Sequence, residues 1–404
     1  MAKPVGSTCN LRCTYCYYLA TPTSTPRMSD AVLETFISGY IAANTSLPAA
    51  TDEAGINFVW HGGEPTLAGL DFYRRVVELQ RRYLPAGWAA WNNLQTNGVL
   101  LDDEWCRFLA DNQFDIGLSI DGTEWIHDTY RPDPRGHGSY EAAAGAIKRL
   151  QAHGIQPDLL CTVTSTTAKY PLEVYRSLRS FGTGWVEFIP IVVRDGAGVT
   201  PESVTGEAYG RFLVDIFDEW LLHDLGTTAV QLFAETTNTL AGGAPGLCWL
   251  APTCGRALVV EADGGVYSCD HYVRPEHRLG DVADLGDLAN SPDQHAFGES
   301  KANLPGQCRD CPWLALCNGG CPKDRFAEPG LNVLCDGLTA FFAHSVPELR
   351  AVATMANAGK APPAIMEALR AARLEKWRGV GRNDPCPCAS GLKAKQCCWS
   401  KRPT

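Results

Sequence analysis

The sequence predicts an α/β protein: a partial (β/α)6 barrel, then a cysteine-rich domain, then a small C-terminal cysteine module. Three observations carry this reading. Up to about residue 225, strand-like runs alternate with amphipathic helical runs, the signature of parallel strands joined by right-handed crossovers. Beyond about residue 230 the chain turns to short pieces rich in glycine, proline and cysteine. From Gly381 onward, four cysteines crowd one short run.

The extended candidates are, in order, KPVG (3–6), INFVW (56–60), WNNLQ (91–95), DIGLSI (115–120), DLLCTVT (158–164) and WVEFIPIVV (185–193). Helical periodicity covers 28–43, 67–84, 102–111, 139–153, 171–181 and 204–223. Ser29 is a candidate N-cap, and Thr166 or Thr167 opens the turn before a later helix. Six units suit an open barrel better than a closed eight-unit one, and in such folds chemistry gathers at the C-terminal ends of the strands. Next, VVEADGGVYSC (259–269) reads as a hairpin turning at DGG. Residues 337–378 read as helical, interrupted by ANAGKAPP (356–363). The expected division is 1–230 barrel, 231–345 cysteine-rich domain, 346–380 helical linker and 381–404 terminal module.

Among 404 residues, 45% are hydrophobic and 20% charged, ordinary for a soluble globular protein. A net charge of −10 argues against a nucleic-acid surface, which needs a dense basic patch. No apolar run is long enough to span a bilayer, and no charged-then-apolar leader opens the chain, so a cytoplasmic address and no membrane partner are expected.

Seventeen cysteines are out of proportion. Cys106 and Cys161 sit in apolar segments and read as core. The others form three clusters: Cys9, Cys13 and Cys16; then Cys248, Cys254, Cys269, Cys308, Cys311, Cys317, Cys321 and Cys335; then Cys386, Cys388, Cys397 and Cys398. In a long chain such clusters suggest metal rather than disulfides. The first stops at three. Structural zinc wants a fourth ligand nearby, and a ferredoxin run would continue to another cysteine. Three thiolates on a four-iron cluster leave one iron open.

The spacing Cys9-x3-Cys13-x2-Cys16, in a loop after the first strand, resembles the radical S-adenosylmethionine (SAM) superfamily, in which SAM chelates that open iron. HGGEP at the end of the next strand is similar to the segment that meets the SAM amino group, which implies Gly62, Gly63 and Glu64 there. LQTNG and LSIDG end the following strands; alone they are turn signals. The resemblance implies SAM contacts from Ser119 and Arg131, with Tyr15 and Val192 against the adenine. It places Gln95, Asn97 and Asp121 on the substrate side. Tyr17 and Tyr18 read as packing.

Eight cysteines with C-x2-C-x5-C-x3-C at their centre could also suit two zinc sites. The pattern resembles the SPASM extension of peptide-modifying radical SAM proteins. That resemblance implies one auxiliary [4Fe–4S] cluster on Cys248, Cys254, Cys269 and Cys321 and another on Cys308, Cys311, Cys317 and Cys335, making three clusters in all. The strings KPVGSTCNLRCTYCYYL, HGGEPTLAG, LQTNG, SIDG, GGVYSCDHYV and LCNGGCPKDR together resemble anaerobic sulfatase-maturating enzymes. Such enzymes oxidise a Cys or Ser of a sulfatase polypeptide to Cα-formylglycine, using electrons from a donor such as a flavodoxin or ferredoxin. The resemblance makes Asp270 the base and the neighbouring cluster the electron acceptor. Only eight residues precede Cys9, so the first strand is expected to be clipped or to begin upstream. The string GRNDPCPCASGLKAKQCCW resembles the SEC-C motif, with Cys386, Cys388, Cys397 and Cys398 as zinc ligands. Two other readings are a thioether-forming SPASM protein and a non-catalytic electron carrier. The first usually carries a leader-binding domain, and the second has no use for the polar strand ends.

Overall fold

The computed structural model describes residues 1–20, 26–46, 54–196, 198–387, 392–396 and 399. Five strands, β1 (Ala54–Trp60), β2 (Trp88–Thr96), β3 (Phe114–Ser119), β4 (Asp158–Val163) and β5 (Trp185–Pro190), pair in sequence order, all parallel. A short sixth strand, Ala229–Val230, pairs with β5 and completes the open barrel. Residues 3–6, expected as the first strand, are not one. Ala2 alone bridges Trp60. Pro4 has no N–H to offer, Gly6 takes φ 54°, and its N–H closes a turn onto the Lys3 carbonyl at 3.1 Å.

The helices cover the outer face: α1 (Asp30–Thr45), α2 (Leu70–Tyr83), α3 (Asp103–Asp111), α4 (Glu124–Tyr130), α5 (Tyr140–Ala152), α6 (Pro171–Arg179), α7 (Gly206–His223) and α8 (Gln231–Leu240). Ser29 Oγ accepts from Val32 N–H at 3.2 Å and so caps α1. The turn before α6 opens as expected, Thr167–Lys169 with Thr166 at its N-cap, and Thr164 braces it: its Oγ1 accepts from Thr167 N–H at 3.1 Å.

Strand alternation sorts the residues by side. Ile56, Phe58 and Trp60 of β1 are buried under the helices, where Trp60 meets Phe36, Phe72 and Tyr73 edge-on. Cys106 and Cys161 are fully buried in this core. The inner face is polar. A cavity of about 200 Å³ there is lined by Asn93, Gln95, Asp115, Asp158, Glu187 and Gln231, among others.

The cysteine-rich part opens with the antiparallel hairpin Val259–Val260 and Gly265–Tyr267, extended by Arg278–Asp281. Its closing helix, Cys335–Asn357, begins at a cysteine and packs along α7. Two glycines permit the contact: a Cβ on Gly210 would stand 2.6 Å from Gly337 Cα. The expected helical linker, 346–380, is helical up to Asn357 and again over Pro362–Lys376, and it folds back. In the helix Pro362–Lys376, Ile365 and Leu369 are buried, and Arg373 pairs with Glu348 at 2.6 Å and Asp218 at 3.0 Å.

Residues 1–3 stitch the two parts together. Ala2 bridges both Trp60 of β1 and Val260 of the hairpin, and Lys3 N–H donates to the Val260 carbonyl at 2.9 Å. In the terminal module Cys386 is buried; Cys388, Cys397 and Cys398 lie outside the described residues. Among the described residues no helix is long and apolar enough to cross a membrane.

Candidate active site

The three-cysteine loop lies at the C-terminal mouth of the barrel. Arg12 N–H donates to the Pro132 carbonyl at 2.8 Å, and Thr14 N–H to the Tyr130 carbonyl at 2.9 Å, so the loop is tied to the segment after β3. Gly62 and Gly63 hold its root. Gly63 N–H donates to the Gly6 carbonyl at 2.8 Å, and a Cβ on Gly63 would stand 2.1 Å from the Thr8 carbonyl oxygen. The glycines of HGGEP therefore admit the chain's own backbone just before Cys9. Burial pushes the Cys9 thiol up to about 12 and Cys13 to about 11. Half-buried thiols crowded this way are poor thiolates on their own, and a cationic metal centre is what would draw their protons off.

Glu64 is engaged through both oxygens. Its Oε1 accepts from Thr66 N–H (3.0 Å), Thr66 Oγ1 (2.6 Å) and Thr96 Oγ1 (2.8 Å), and its Oε2 from Asn97 N–H (2.8 Å). Three donors crowd Oε1, while Oε2 takes one and keeps a second acceptor site open. It knots the loop after β1 to the loop after β2. Asn97 extends that knot toward the cysteines: its Nδ2 donates to Asn10 Oδ1 at 2.7 Å and lies 3.9 Å from Cys9 Sγ.

Asp121 is full, with two donors on each oxygen. Arg131 Nε and Nη2 donate to it at 2.7 and 3.1 Å, Tyr15 OH at 2.9 Å and Thr162 N–H at 2.8 Å. It is buried and ties Arg131, Tyr15 and β4 together. The Arg131 guanidinium lies 5.6 Å from the Tyr15 ring centroid, beside Cys13. Behind it His127, which burial pushes down to about 4, accepts from Asp121 N–H through Nδ1 at 3.2 Å. Its Nε2 stands 2.9 Å from Ser139 Oγ, which donates to the Arg131 carbonyl at 2.7 Å. Ser119 ends β3, Gln95 lines the inner cavity, and Val192 packs against the core just past β5.

Asp270 reaches this mouth from the cysteine-rich part. Lys3 Nζ is 2.6 Å from its Oδ1, and Tyr17 OH donates to its Oδ2 at 3.1 Å. Burial alone would push the carboxyl up. His61, Lys3 and His271 together hold it below the usual carboxylate range. Burial pushes both histidines toward their neutral forms, His271 to about 4, so Lys3 is the lasting counter-charge. Tyr17 and Tyr18, read as packing, do pack, with ring centroids 4.2 Å apart, and they do more: Tyr17 bonds Asp270, and Tyr18 places its ring 4.9 Å under Lys3 Nζ. Sequence reasoning missed Lys3 and His61. The only available signal was their adjacency to motifs, Lys3 opening KPVG and His61 heading HGGEP.

The eight later thiols gather into two groups. Cys308, Cys311, Cys317 and Cys335 line one cavity of about 370 Å³. Cys248 is in electrostatic contact with Cys254, Cys269 and Cys321. Among the described residues no three Cys, His, Asp or Glu side chains form a group that could hold a single ion. Thiols spread around a cavity suit the corners of a bulky cluster better than one zinc. Arg325 braces the loop that supplies one thiol to each group, donating to the carbonyls of Asn318, Gly319 and Gly320 at 2.8, 2.9 and 3.1 Å.

Comparison with known proteins agrees with this arrangement. The radical SAM superfamily model matches residues 4–176, the SPASM iron-sulfur cluster-binding domain 248–312 and the SEC-C motif 382–400. A serine-type anaerobic sulfatase-maturating enzyme from Bacteroides thetaiotaomicron is 39% identical over 93% of this chain and 96% of its own length. A cysteine-type one from Clostridium perfringens is 33% identical over 87% and 97%. The solved structure of native anSMEcpe with bound AdoMet and the Cp18Cys peptide superposes with a TM-score of 0.80. It is 34% identical and covers 87% of this chain and 98% of that one. Streptococcus suis SuiB bound to S-adenosylmethionine shares the fold, with a TM-score of 0.58 at 14% identity over 81% of this chain and 74% of that one. Identity sustained over nearly the full length of such relatives means that the chain belongs to the anaerobic sulfatase-maturating enzymes of the radical SAM superfamily.

Proposed function

We propose that the chain oxidises a serine or cysteine side chain of a sulfatase polypeptide to Cα-formylglycine. The observation that carries this reading is the meeting of Asp270, next to Cys269, with Tyr17 of the three-cysteine loop at 3.1 Å. It supports a reading in which a proton acceptor, the cluster place beside Cys269 and the radical-generating loop share one mouth. Cys9, Cys13 and Cys16 hold the first cluster; Cys248, Cys254, Cys269 and Cys321 the second; Cys308, Cys311, Cys317 and Cys335 the third. Loaded with clusters and SAM, the site supplies hydrogen-atom abstraction from the target Cβ and a one-electron acceptor nearby.

The chain's own residues do the rest. With Asp121 saturated by protein donors and one acceptor site open on Glu64 Oε2, Gly62, Gly63 and Glu64 would meet the SAM amino group. Arg131 and Ser119 would contact SAM, and Tyr15 and Val192 would lie against its adenine. Gln95 and His61 face the target; Asn97 and Asp121 serve it only by fixing the walls. Asp270 stays ionised and takes the hydroxyl or thiol proton. A weak base suffices, because an O–H or S–H beside a carbon-centred radical is far more acidic than its parent. The barrel (1–230) and cysteine-rich domain (231–345) share this site. In the module 381–404, Cys386, Cys388, Cys397 and Cys398 bind zinc. The setting is cytoplasmic, with a flavodoxin or ferredoxin as electron donor.

The test is the reduced, reconstituted protein with SAM and serine or cysteine sulfatase peptides. Serine should lose two hydrogens to become an aldehyde. Asp270→Asn should lose aldehyde formation while 5′-deoxyadenosine still accumulates; undiminished aldehyde in that variant removes Asp270 from the mechanism.

A further inference from the structure

Lys3 is fully buried, although its ammonium is among the costliest groups to desolvate. Nothing about the barrel core calls for it. Its Nζ lies 2.6 Å from Asp270 Oδ1 and 3.3 Å from Glu261 Oε1, over the Tyr18 ring. Its backbone is pinned on the cysteine-rich side, through Lys3 N–H to the Val260 carbonyl at 2.9 Å. It is pinned on the barrel side too: Ala2 N–H donates to the Val59 carbonyl at 2.8 Å, and His61 N–H to the Ala2 carbonyl at 3.0 Å. Lys3 thus stands on a segment that spans the seam between the two parts of the molecule.

Asp270 has no comparable support of its own. It opens a three-residue 3-10 turn, Asp270–Tyr272, with no capping side chain. The Lys3 ammonium meets Oδ1 and the Tyr17 hydroxyl meets Oδ2, so two partners from the barrel side fix the plane of a carboxylate that the other part carries. We propose that Lys3 is a positioning residue of the oxidation: its buried ammonium sets the Asp270 carboxylate against the barrel mouth, so that hydrogen-atom removal and proton removal act on the same target side chain. This rests on Asp270 being the proton acceptor. A misplacement of about 1 Å in such a group costs on the order of a hundredfold. An untethered carboxylate would leave SAM cleavage running without product.

The experiment measures formylglycine and 5′-deoxyadenosine in the same reaction, with iron per chain, for Lys3→Met, Lys3→Gln and Lys3→Arg of the full reconstituted protein. The expected result is a fall of about tenfold or more in formylglycine per deoxyadenosine for Met and Gln, with recovery in Arg. An unchanged ratio in Met and Gln overturns the proposal. So does an Arg variant as uncoupled as Met, or loss of both products together with iron in all three, which marks Lys3 as structural only. Asp270→Asn run alongside separates the two readings. Full formylglycine there removes the base itself; uncoupling there but not in the Lys3 variants removes only the positioning role.

Discussion

At the scale of single residues, the site is organised by carboxylates with different duties. Glu64 and Asp121 each satisfy four donors and work as fixtures, while Asp270 meets one ammonium and one hydroxyl and keeps room for a target. Glu187 is a third kind. It faces the inner cavity, where burial pushes it up to about 7, Gln231 pulls it partly back and Asp158 pushes it further. Burial also pushes Asp158 itself up, to about 6. A carboxyl whose folded pKa exceeds its unfolded value binds more protons folded than unfolded. Its contribution is therefore present below its ordinary 4.5 and is lost as pH rises toward 7. Glu187→Gln is expected to flatten that decline and to stabilise the protein at pH 8 by on the order of 2 kcal/mol, read from denaturant midpoints at several pH values. A variant with the same pH slope as the parent would show that Glu187 is paired well enough to stay ionised.

At the scale of elements, the contact between α7 and the helix Cys335–Asn357 carries the most exact fit. A Cβ on Gly337 would fall 1.9 Å from the Gly206 carbonyl oxygen, and that helix starts at Cys335, one of the thiols of the 370 Å³ cavity. Gly337→Ala must push the helices apart. The expected cost is about 1–3 kcal/mol in stability, together with less iron per chain, because the shift moves Cys335. Normal iron content and melting temperature would mean that the helix slides without disturbing its first turn. Elements of this kind were legible in the sequence where period and length agreed: the expected helices at 28–43, 67–84 and 204–223 appear as α1, α2 and α7. The sixth strand was not legible, because two residues, Ala229–Val230, are too few for any alternation to show. Lys3–Gly6 misled for the opposite reason: an apolar-looking run was overruled by Pro4 and the positive φ of Gly6. The thiols were legible because metal ligands need fixed spacings along the chain. The surroundings of Asp270 were not, since Lys3, Tyr17 and His61 reach it across most of the sequence and a lone lysine reads as solvated surface.

At the scale of the whole molecule, the barrel and the cysteine-rich part build one mouth, and the terminal module takes no part in that geometry among the described residues. Deleting 380–404 is expected to leave aldehyde formation on a short peptide intact, to remove about one zinc per chain and to lower sulfatase maturation in cells. Equal maturation in cells would remove any role for the module in capturing the substrate. The seam at residues 1–3 also imposes a timetable on synthesis. The Met1 nitrogen bonds the Leu258 carbonyl across 257 positions, and Ala2 waits for Val260. A chain emerging from the ribosome exposes the three-cysteine loop long before the partner strand exists, and its barrel strand Ala229–Val230 only shortly before it. Asp270 therefore joins the mouth well after the three-cysteine loop has been made, and the cysteines from Cys308 to Cys335 come later still.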